Sequence, residues 1–317
     1  MAKGIRAQSY IRIEDENDRY CGFLDDSLLV PHNKRIDHNV LKSLVISAID
    51  YANKKSSRQL LEIPEEISND KLEAFYKKKG KDLFKYFVRY CGDPASTAFD
   101  CLNKHYAQIA KENFRNNTLQ KERMNSGWRY QHLAKDTARL SERFDTISDL
   151  NSKEADFNAI ISYKDTFDKL SIYVSVKNRS NTMGGQDWPK AIYALEAAAI
   201  NDKNRNGSYI CVFGIAMEKG TRYIKKSKET KQPLSVNTEV WLSDFFWPFF
   251  SNFSYNEISK AVLQVLVEDG RLSSLDAEIP TSVIESFGDE CRSLNLLDND
   301  GKFNNAQILV DLFTGNL

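Results

Sequence analysis

Apolar residues recur with the spacing of amphipathic helices along most of the first 150 residues. The pattern predicts a helix over 37–51, with Asp37 or Asn39 as its N-cap, and a second helix over 69–90 with lysines on one face. Cys91-Gly92-Asp93-Pro94 ends that helix, and the helical period resumes from Ala95 to Ala110. A polar run over 111–126 is expected to separate this helix from another one through residues 128–138.

Near residue 155 the pattern changes to short runs with strand composition. Residues 157–163 and 170–176 predict two strands of a hairpin, with Lys177 at the end of the second strand. A helix is expected from Asp187, and the apolar segment 209–216 is typical of a buried strand. The order strand, strand, helix, strand predicts an α/β core with a mixed sheet.

The last third of the chain begins with a dense aromatic segment. Phe245-Phe-Trp-Pro-Phe-Phe250 is interpreted as core or a subunit interface, because so many adjacent aromatic rings cannot all face water without association. Ser254 and Glu257 form a capping box before a helix over 258–267, and helices near 281–291 and 304–313 follow. Three regions are therefore expected: a helical one over 1–145, an α/β core over 146–255 and a helical one over 256–317.

Composition narrows the class of protein. The 317 residues include 44 basic and 44 acidic side chains, and no run of 18 apolar residues predicts a membrane span. The first residues lack the apolar stretch of a signal peptide, and five scattered cysteines form no C-x-x-C pair, so a cytoplasmic protein without a disulfide framework is expected. The neutral total first argues against a nucleic-acid partner, but it hides a basic surplus over 218–231.

The candidate chemistry lies at one end of the predicted hairpin. Pairing of the two strands brings Asp156, which precedes the first strand, towards Ser175-Val176-Lys177 at the end of the second. A carboxylate, a main-chain carbonyl and a second acidic group can hold Mg²⁺, and a neighbouring lysine can orient or deprotonate a water molecule. Hydrolysis of a phosphodiester needs these groups.

The segments Ala155-Asp156-Phe157-Asn158-Ala159-Ile160 and Ser175-Val176-Lys177-Asn178-Arg179 resemble the PD-(D/E)xK nuclease superfamily, and within it the type II restriction endonucleases. The resemblance covers about residues 140–270 and rests on a short motif and on the order of hairpin, helix and strand. It implies a mixed central sheet flanked by helices, Asp156 as the metal-binding aspartate, the Val176 carbonyl as a further metal ligand and Lys177 as the catalytic lysine.

The sequence departs from the family pattern at two positions. Ala155 stands where proline is usual, and Ser175 occupies the position of the second acidic residue. Some restriction enzymes of the superfamily recruit a glutamate from the next helix instead, which makes Glu196 the candidate catalytic and metal-binding residue here. Three further acidic residues compete for that role: Asp187, Glu142 and Glu154.

Three segments are candidates for DNA contact. Arginine and glutamine can read guanine and adenine edges, and lysines can bind phosphates. The candidates are Arg123, Asn125, Arg129 and Gln131 in one segment, Asn178, Arg179 and Asn181 just after Lys177, and Arg222, Lys225 and Lys226 in the basic loop. Each segment also fits a helix surface, a turn or a solvated loop.

These observations predict a Mg²⁺-dependent type II restriction endonuclease that cuts double-stranded DNA at a short specific site. Cutting both strands of a palindrome requires two active sites, so a homodimer is expected, together with a cognate DNA methyltransferase in the same system. Two alternatives remain open at this stage. One is a sequence-specific DNA-binding protein with a degenerate nuclease core, and the other is a repair or resolvase nuclease of the same superfamily.

Overall fold

The protein is an α/β protein in its computed structural model, which describes residues 23–55, 67–150, 154–180, 187–268 and 278–317. After a short 3-10 helix, the helices are α1 (His38–Lys55), α2 (Asn69–Arg89), α3 (Pro94–Cys101), α4 (Tyr106–Leu140), α5 (Trp188–Asn201), α6 (Ser243–Ser251), α7 (Tyr255–Glu268), α8 (Thr281–Ser293) and α9 (Ala306–Thr314). The strands are β1 (Thr146–Asp149), β2 (Phe157–Ser162), β3 (Lys169–Lys177), β4 (Ser208–Ile215), β5 (Arg222–Tyr223) and β6 (Thr238–Leu242).

The six strands of the described chain form one mixed sheet in the order β1-β2-β3-β4-β6-β5. β2 and β3 pair antiparallel as the predicted hairpin, while β3, β4 and β6 are parallel to one another. The short edge strands β1 and β5 pair antiparallel to their neighbours. The predicted mixed sheet is thus confirmed, and the hairpin and the buried strand β4 lie where the sequence pattern places them.

Each face of the sheet carries its own apolar layer. On one face, residues of α1, α4, α6 and α7 pack against alternate strand residues that include Val174 and Val176. On the other face, Ile192, Leu195 and Ala199 of α5 cover Tyr173 and the strand residues beside it. The aromatic segment of α6 belongs to the first layer, since Phe246, Trp247, Phe249 and Phe250 are all buried there, which confirms its interpretation as core.

A separate apolar cluster is built from α2, α3, the start of α4, α8 and α9. Contacts between positions divide the chain into two compact units, residues 1–54 with 125–271 and residues 55–124 with 272–317. The sequence pattern predicts three consecutive regions instead. The division differs because α8 and α9 pack with α2 and α3. One compact unit therefore combines two segments that are far apart along the chain.

Two helix predictions were wrong. The polar run over 111–126 does not separate two helices, because α4 is continuous from Tyr106 to Leu140. This run contains neither proline nor glycine before Gly127, so nothing in it stops a helix once packing has fixed one side. Conversely, the helix expected over 95–110 is broken after Cys101, where Asn103 adopts a positive φ of 63°. None of the described helices is long and apolar enough to cross a membrane.

Candidate active site

Asp156 lies directly beside the end of β3. The register pairs Phe157 with Val174, which places Asp156 opposite Ser175. The Asp156 N–H donates to the Val174 carbonyl at 2.7 Å, and the Val176 N–H donates to Oδ2 of Asp156 at 2.7 Å. The hairpin therefore brings the carboxylate and the end of β3 together as the sequence pattern indicates. The catalytic roles of these residues stay predictions.

Ser175 and Lys177 share one face of the sheet with Asp156, because side chains two residues apart along a strand point to the same side. Ser175 is buried, with 2% of its surface exposed, whereas Lys177 at the strand end is half-buried. The Lys177 carbonyl accepts from the Ala216 N–H at 2.8 Å, which extends the pairing with β4 by one step. The backbone of this lysine is thus held by its pairing with β4.

Gln131 of α4 reaches the same strand end from the other side of the sheet. Its Nε2 donates to the Val176 carbonyl at 3.3 Å. Val176 thus presents its N–H to Asp156 and its carbonyl to Gln131, so both of its backbone groups lie outside the pairing with β4. Gln131 is predicted from the sequence to read a base, and no local pattern signals its contact with Val176.

Glu196 is not brought to Asp156. Its carboxylate accepts hydrogen bonds from the Ser235 hydroxyl and from Oγ1 of Thr238, the latter at 2.7 Å. Thr238 pairs with Cys211 and lies on β6, two strands away from β3, which corresponds to about 10 Å across the sheet. The reason lies in the helix geometry: Trp188 packs on Phe213 beside Ser175, and Glu196 is about 12 Å further along the axis of α5.

The other acidic candidates are closer to Asp156 along the chain than Glu196 is, but they do not form a cluster. Asp187 is the N-cap of α5 but its side chain makes no capping hydrogen bond, and Glu154 is exposed. Glu142 follows α4 with a positive φ of 50°, and its carbonyl accepts from Asn33. Across the described ranges, no three His, Cys, Asp or Glu side chains are grouped so that they could hold a metal ion. Asp156 is the acidic candidate that a hydrogen bond joins to the end of β3, through the Val176 N–H.

Two of the predicted DNA-contact segments meet at this strand end. Nδ2 of Asn178 donates to Oγ of Ser126 at 2.8 Å, and Gly127 lies against the Asn178 amide. Arg179, the next residue, is exposed. Asn181 lies outside the described residues. The Asn178–Ser126 hydrogen bond therefore joins the start of the second segment to the middle of the first.

Asn125 and Arg129, which are predicted to contact DNA, are buried. They are 2% and 7% exposed, and Nδ2 of Asn125 donates to Oδ1 of Asn53 at 3.2 Å. They lie four residues apart on α4, on the side that also buries Leu133, so the helix turns both side chains inwards. Arg123 is exposed and belongs to the other compact unit.

The Arg222 side chain also contacts groups within the protein. Its Nη1 donates to the Leu24 carbonyl at 2.5 Å and lies 3.5 Å from Oε2 of Glu239, while its guanidinium packs on the Phe245 ring at 4.4 Å. These partners hold the Arg222 guanidinium against the protein, and its contact with DNA stays a prediction. The sequence hid the contact because Leu24, Arg222 and Glu239 are far apart along the chain.

The basic loop after β5 is a hairpin extension, named here the lysine hairpin (residues 222–234). Leu234 N–H donates to the Lys225 carbonyl and Ser227 N–H donates to the Gln232 carbonyl, both at 2.8 Å. Nζ of Lys225 lies 4.9 Å from the centre of the Trp188 ring, and burial, with a further contribution from Lys228, lowers the pKa of Lys225. Because Trp188 packs on Phe213, the lysine hairpin lies on the same sheet face as Asp156 and Lys177.

Polar groups deeper on this face pair with one another. The Tyr173 hydroxyl donates to Asp202 at 2.8 Å, and Nδ2 of Asn158 approaches the same carboxylate oxygen at 3.4 Å. Burial and the Asp202 carboxylate raise the pKa of Tyr173, so the phenol stays protonated and acts as a donor. These side chains fix the strands below the candidate site rather than extending it.

Comparison of the sequence with protein-family models and with curated proteins finds no match.

Proposed function

We propose that the protein is a Mg²⁺-dependent endonuclease that hydrolyses phosphodiester bonds of double-stranded DNA. The observation that carries the proposal is the meeting of Asp156 and Val176, in which the Val176 N–H donates to the carboxylate at 2.7 Å beside the strand end that carries Lys177. A carboxylate, a backbone carbonyl and a lysine at one strand end are the groups that the PD-(D/E)xK resemblance assigns to cleavage.

The residues at this site offer Mg²⁺ one carboxylate and one backbone carbonyl, which is close to the smallest number of protein ligands with which enzymes bind this ion. Mg²⁺ is bound in many enzymes through one or two carboxylates, with waters and substrate phosphates completing its coordination. Asp156 and the Val176 carbonyl would hold it, and Glu196 would not contribute from its place beside Ser235 and Thr238. When bound, the ion would neutralise charge on the phosphate and lower the pKa of a coordinated water molecule.

Lys177 would orient the attacking water molecule and support its deprotonation, since its side chain leaves the strand on the Asp156 face. Gln131 would hold the Val176 carbonyl in place through its 3.3 Å hydrogen bond. Asn178 and the exposed Arg179 would contact the DNA backbone or bases next to the cut phosphate.

The finer proposal is a type II restriction endonuclease. Cutting both strands of a palindromic site requires two copies of the Asp156 site, so the working form would be a homodimer. Such an enzyme would be accompanied by a DNA methyltransferase of the same specificity, which protects the host sites. A repair or resolvase nuclease would use the same site on branched or damaged DNA.

A second function has its own support. Ser175 is buried where the family has an acidic residue, and Glu196 is engaged elsewhere, so the metal would have few protein ligands. A DNA-binding protein with a degenerate nuclease core accounts for these two observations.

Incubation with plasmid DNA and Mg²⁺ separates these functions. Discrete fragments support a restriction enzyme, cutting confined to branched or damaged DNA supports a repair nuclease, and binding without any cutting supports the degenerate core. Lys177→Ala is expected to lower cutting at least about 100-fold while leaving DNA binding in Ca²⁺ unchanged. Lys164→Ala, an exposed lysine between β2 and β3, is the matched control. Normal cutting by Lys177→Ala would contradict the proposed active site.

A further inference from the structure

The lysine hairpin encloses a cavity whose wall is strongly basic. The cavity has a volume of about 470 Å³ and is lined by Tyr223, Ile224, Lys225, Lys226, Ser227, Lys228 and Lys231. Four lysines therefore line one space of the size of a small ligand. Clefts lined by one sign of charge concentrate ligands of the opposite sign.

The positive charges of this cavity are not neutralised by neighbouring acids. Within the part of the chain that the structure describes, none of these four lysines forms an ion pair with a carboxylate, and Glu229 at the hairpin tip is exposed. Nζ of Lys231 donates instead to the Lys228 carbonyl at 2.7 Å, which leaves its charge unpaired and fixes its position at the tip. A cluster of four like charges costs free energy in the absence of an anion, and a bound anion removes that cost.

Internal contacts also fix the conformation of the lysine hairpin without a ligand. Its backbone is closed by the hydrogen bonds of Leu234 to Lys225 and of Ser227 to Gln232, and Nζ of Lys225 is positioned on the Trp188 ring. Tyr223 and Leu234 pack against the apolar layer under α5, which anchors both ends of the hairpin. A preorganised cationic cavity binds with less loss of side-chain freedom than scattered surface lysines do.

We infer that the cavity of the lysine hairpin is a binding site for closely spaced phosphate groups, separate from the proposed cleavage site. The ligand carries at least two phosphates, because four lysines around one cavity exceed the charge of a single phosphate. Ser227 and the ammonium groups supply donors, which phosphate oxygens accept. The phosphates belong either to a free oligophosphate or to the backbone of a nucleic acid. The inference stands on the hairpin alone and does not require the protein to cut DNA.

The test is a pair of titrations monitored by calorimetry. One uses tripolyphosphate and the other a short DNA duplex in EDTA, so that no cleavage contributes. The binding variant is Lys226→Gln with Lys228→Gln, and the control is Lys203→Gln with Lys260→Gln, which removes the same charge at exposed positions outside the cavity. Thermal unfolding of all proteins shows that each is folded.

The binding variant is expected to lose at least about tenfold in affinity, while the control stays within about twofold of the parent protein. For DNA, the slope of log affinity against log salt is expected to fall by about two, one for each lysine removed. Loss of tripolyphosphate binding identifies a free oligophosphate as the source, and loss of duplex binding alone identifies a nucleic-acid backbone. The inference is overturned if neither ligand binds saturably or if both double variants bind alike.

Failure of this inference can be told apart from failure of the proposed nuclease. Lys177→Ala is expected to keep tripolyphosphate binding, because Lys177 does not line the cavity. Fluorescence gives a second readout: Trp241 and Trp247 are fully buried, whereas Trp188 carries Lys225 on its ring. Tripolyphosphate binding is expected to change the emission of the parent protein, and Trp188→Phe is expected to reduce that change while calorimetric binding remains.

Discussion

Two carboxylates on the same sheet have different surroundings. Glu239 of β6 is 1% exposed and accepts hydrogen bonds from the Leu24 N–H at 2.5 Å and from Nε1 of Trp241 at 2.6 Å. Arg222 lies 3.5 Å from the same carboxylate. Asp156, at the open end of β2, is half-buried and accepts from the Val176 N–H at 2.7 Å.

The difference separates a structural acid from a candidate catalytic one. Buried charges are tolerated when donors satisfy them, and Glu239 thereby fixes residues 23–24 onto β6. Asp156 is placed where a strand pair ends, beside a carbonyl and a lysine that could act on a ligand. Replacing Glu239 should therefore affect folding most, and replacing Asp156 should affect chemistry most.

The largest effect on stability is expected for Glu239→Ala. This change leaves the Arg222 guanidinium, the Leu24 N–H and the Trp241 indole N–H without their acceptor. Removal of one member of a buried ion pair costs about 3–5 kcal/mol. Urea unfolding followed by circular dichroism measures the loss.

Glu229→Ala at the exposed tip of the lysine hairpin is the control for this prediction, and its free energy of unfolding should change by less than about 0.5 kcal/mol. A loss below about 1 kcal/mol for Glu239→Ala would show that the carboxylate is not a structural anchor.

Glu196 is a third carboxylate, and replacing it tests whether it is a structural acid like Glu239 or a candidate metal ligand like Asp156. Because it accepts from Ser235 and Thr238, Glu196→Ala is expected to cost about 1–2 kcal/mol of unfolding free energy. Any cleavage by the variant should keep the Mg²⁺ dependence of the parent protein. A shift of the Mg²⁺ requirement with unchanged stability would return Glu196 to the metal site that the sequence analysis expects.

Asp156→Asn is expected to change stability by less than about 1 kcal/mol, because the asparagine carbonyl can still accept from the Val176 N–H. Cleavage of plasmid DNA should nevertheless disappear, since an amide neither carries the charge nor binds Mg²⁺ as strongly as a carboxylate does. Comparison of urea unfolding with plasmid cleavage tests both statements. If Asp156→Asn unfolds at a clearly lower urea concentration than the parent protein, Asp156 is a structural acid like Glu239.

The sequence predicts the parts of this arrangement that depend on neighbouring residues. Hairpin strands, the buried strand β4 and the capping box at Ser254 follow from local patterns, and the structure contains all three, with Glu257 accepting from the Ser254 N–H at 2.9 Å. The position of Asp156 beside Ser175 also follows, because it requires only that adjacent strands pair.

Contacts between distant segments were not predictable in the same way. Gln131 lies 45 residues from Val176, and Arg222 lies 198 residues from Leu24. Whether a polar side chain faces the solvent or the core depends on how its element is rotated against the sheet. Asn125 and Arg129 show this dependence, since the same residues would suit DNA if α4 were turned the other way.

The smallest expected effect concerns the pH dependence of stability at Glu239. Burial raises the pKa of Glu239 above its ordinary value of 4.5, although Arg222 and the hydrogen bonds oppose the shift. The folded protein then holds this proton more tightly than the unfolded chain, so this contribution to stability is lost as the pH rises from about 4.5 through the raised pKa. Glu239→Gln cannot titrate, and the difference in unfolding free energy between the parent protein and this variant should therefore fall with rising pH. A difference that grows with pH would mean that Arg222 and the hydrogen bonds outweigh burial at Glu239.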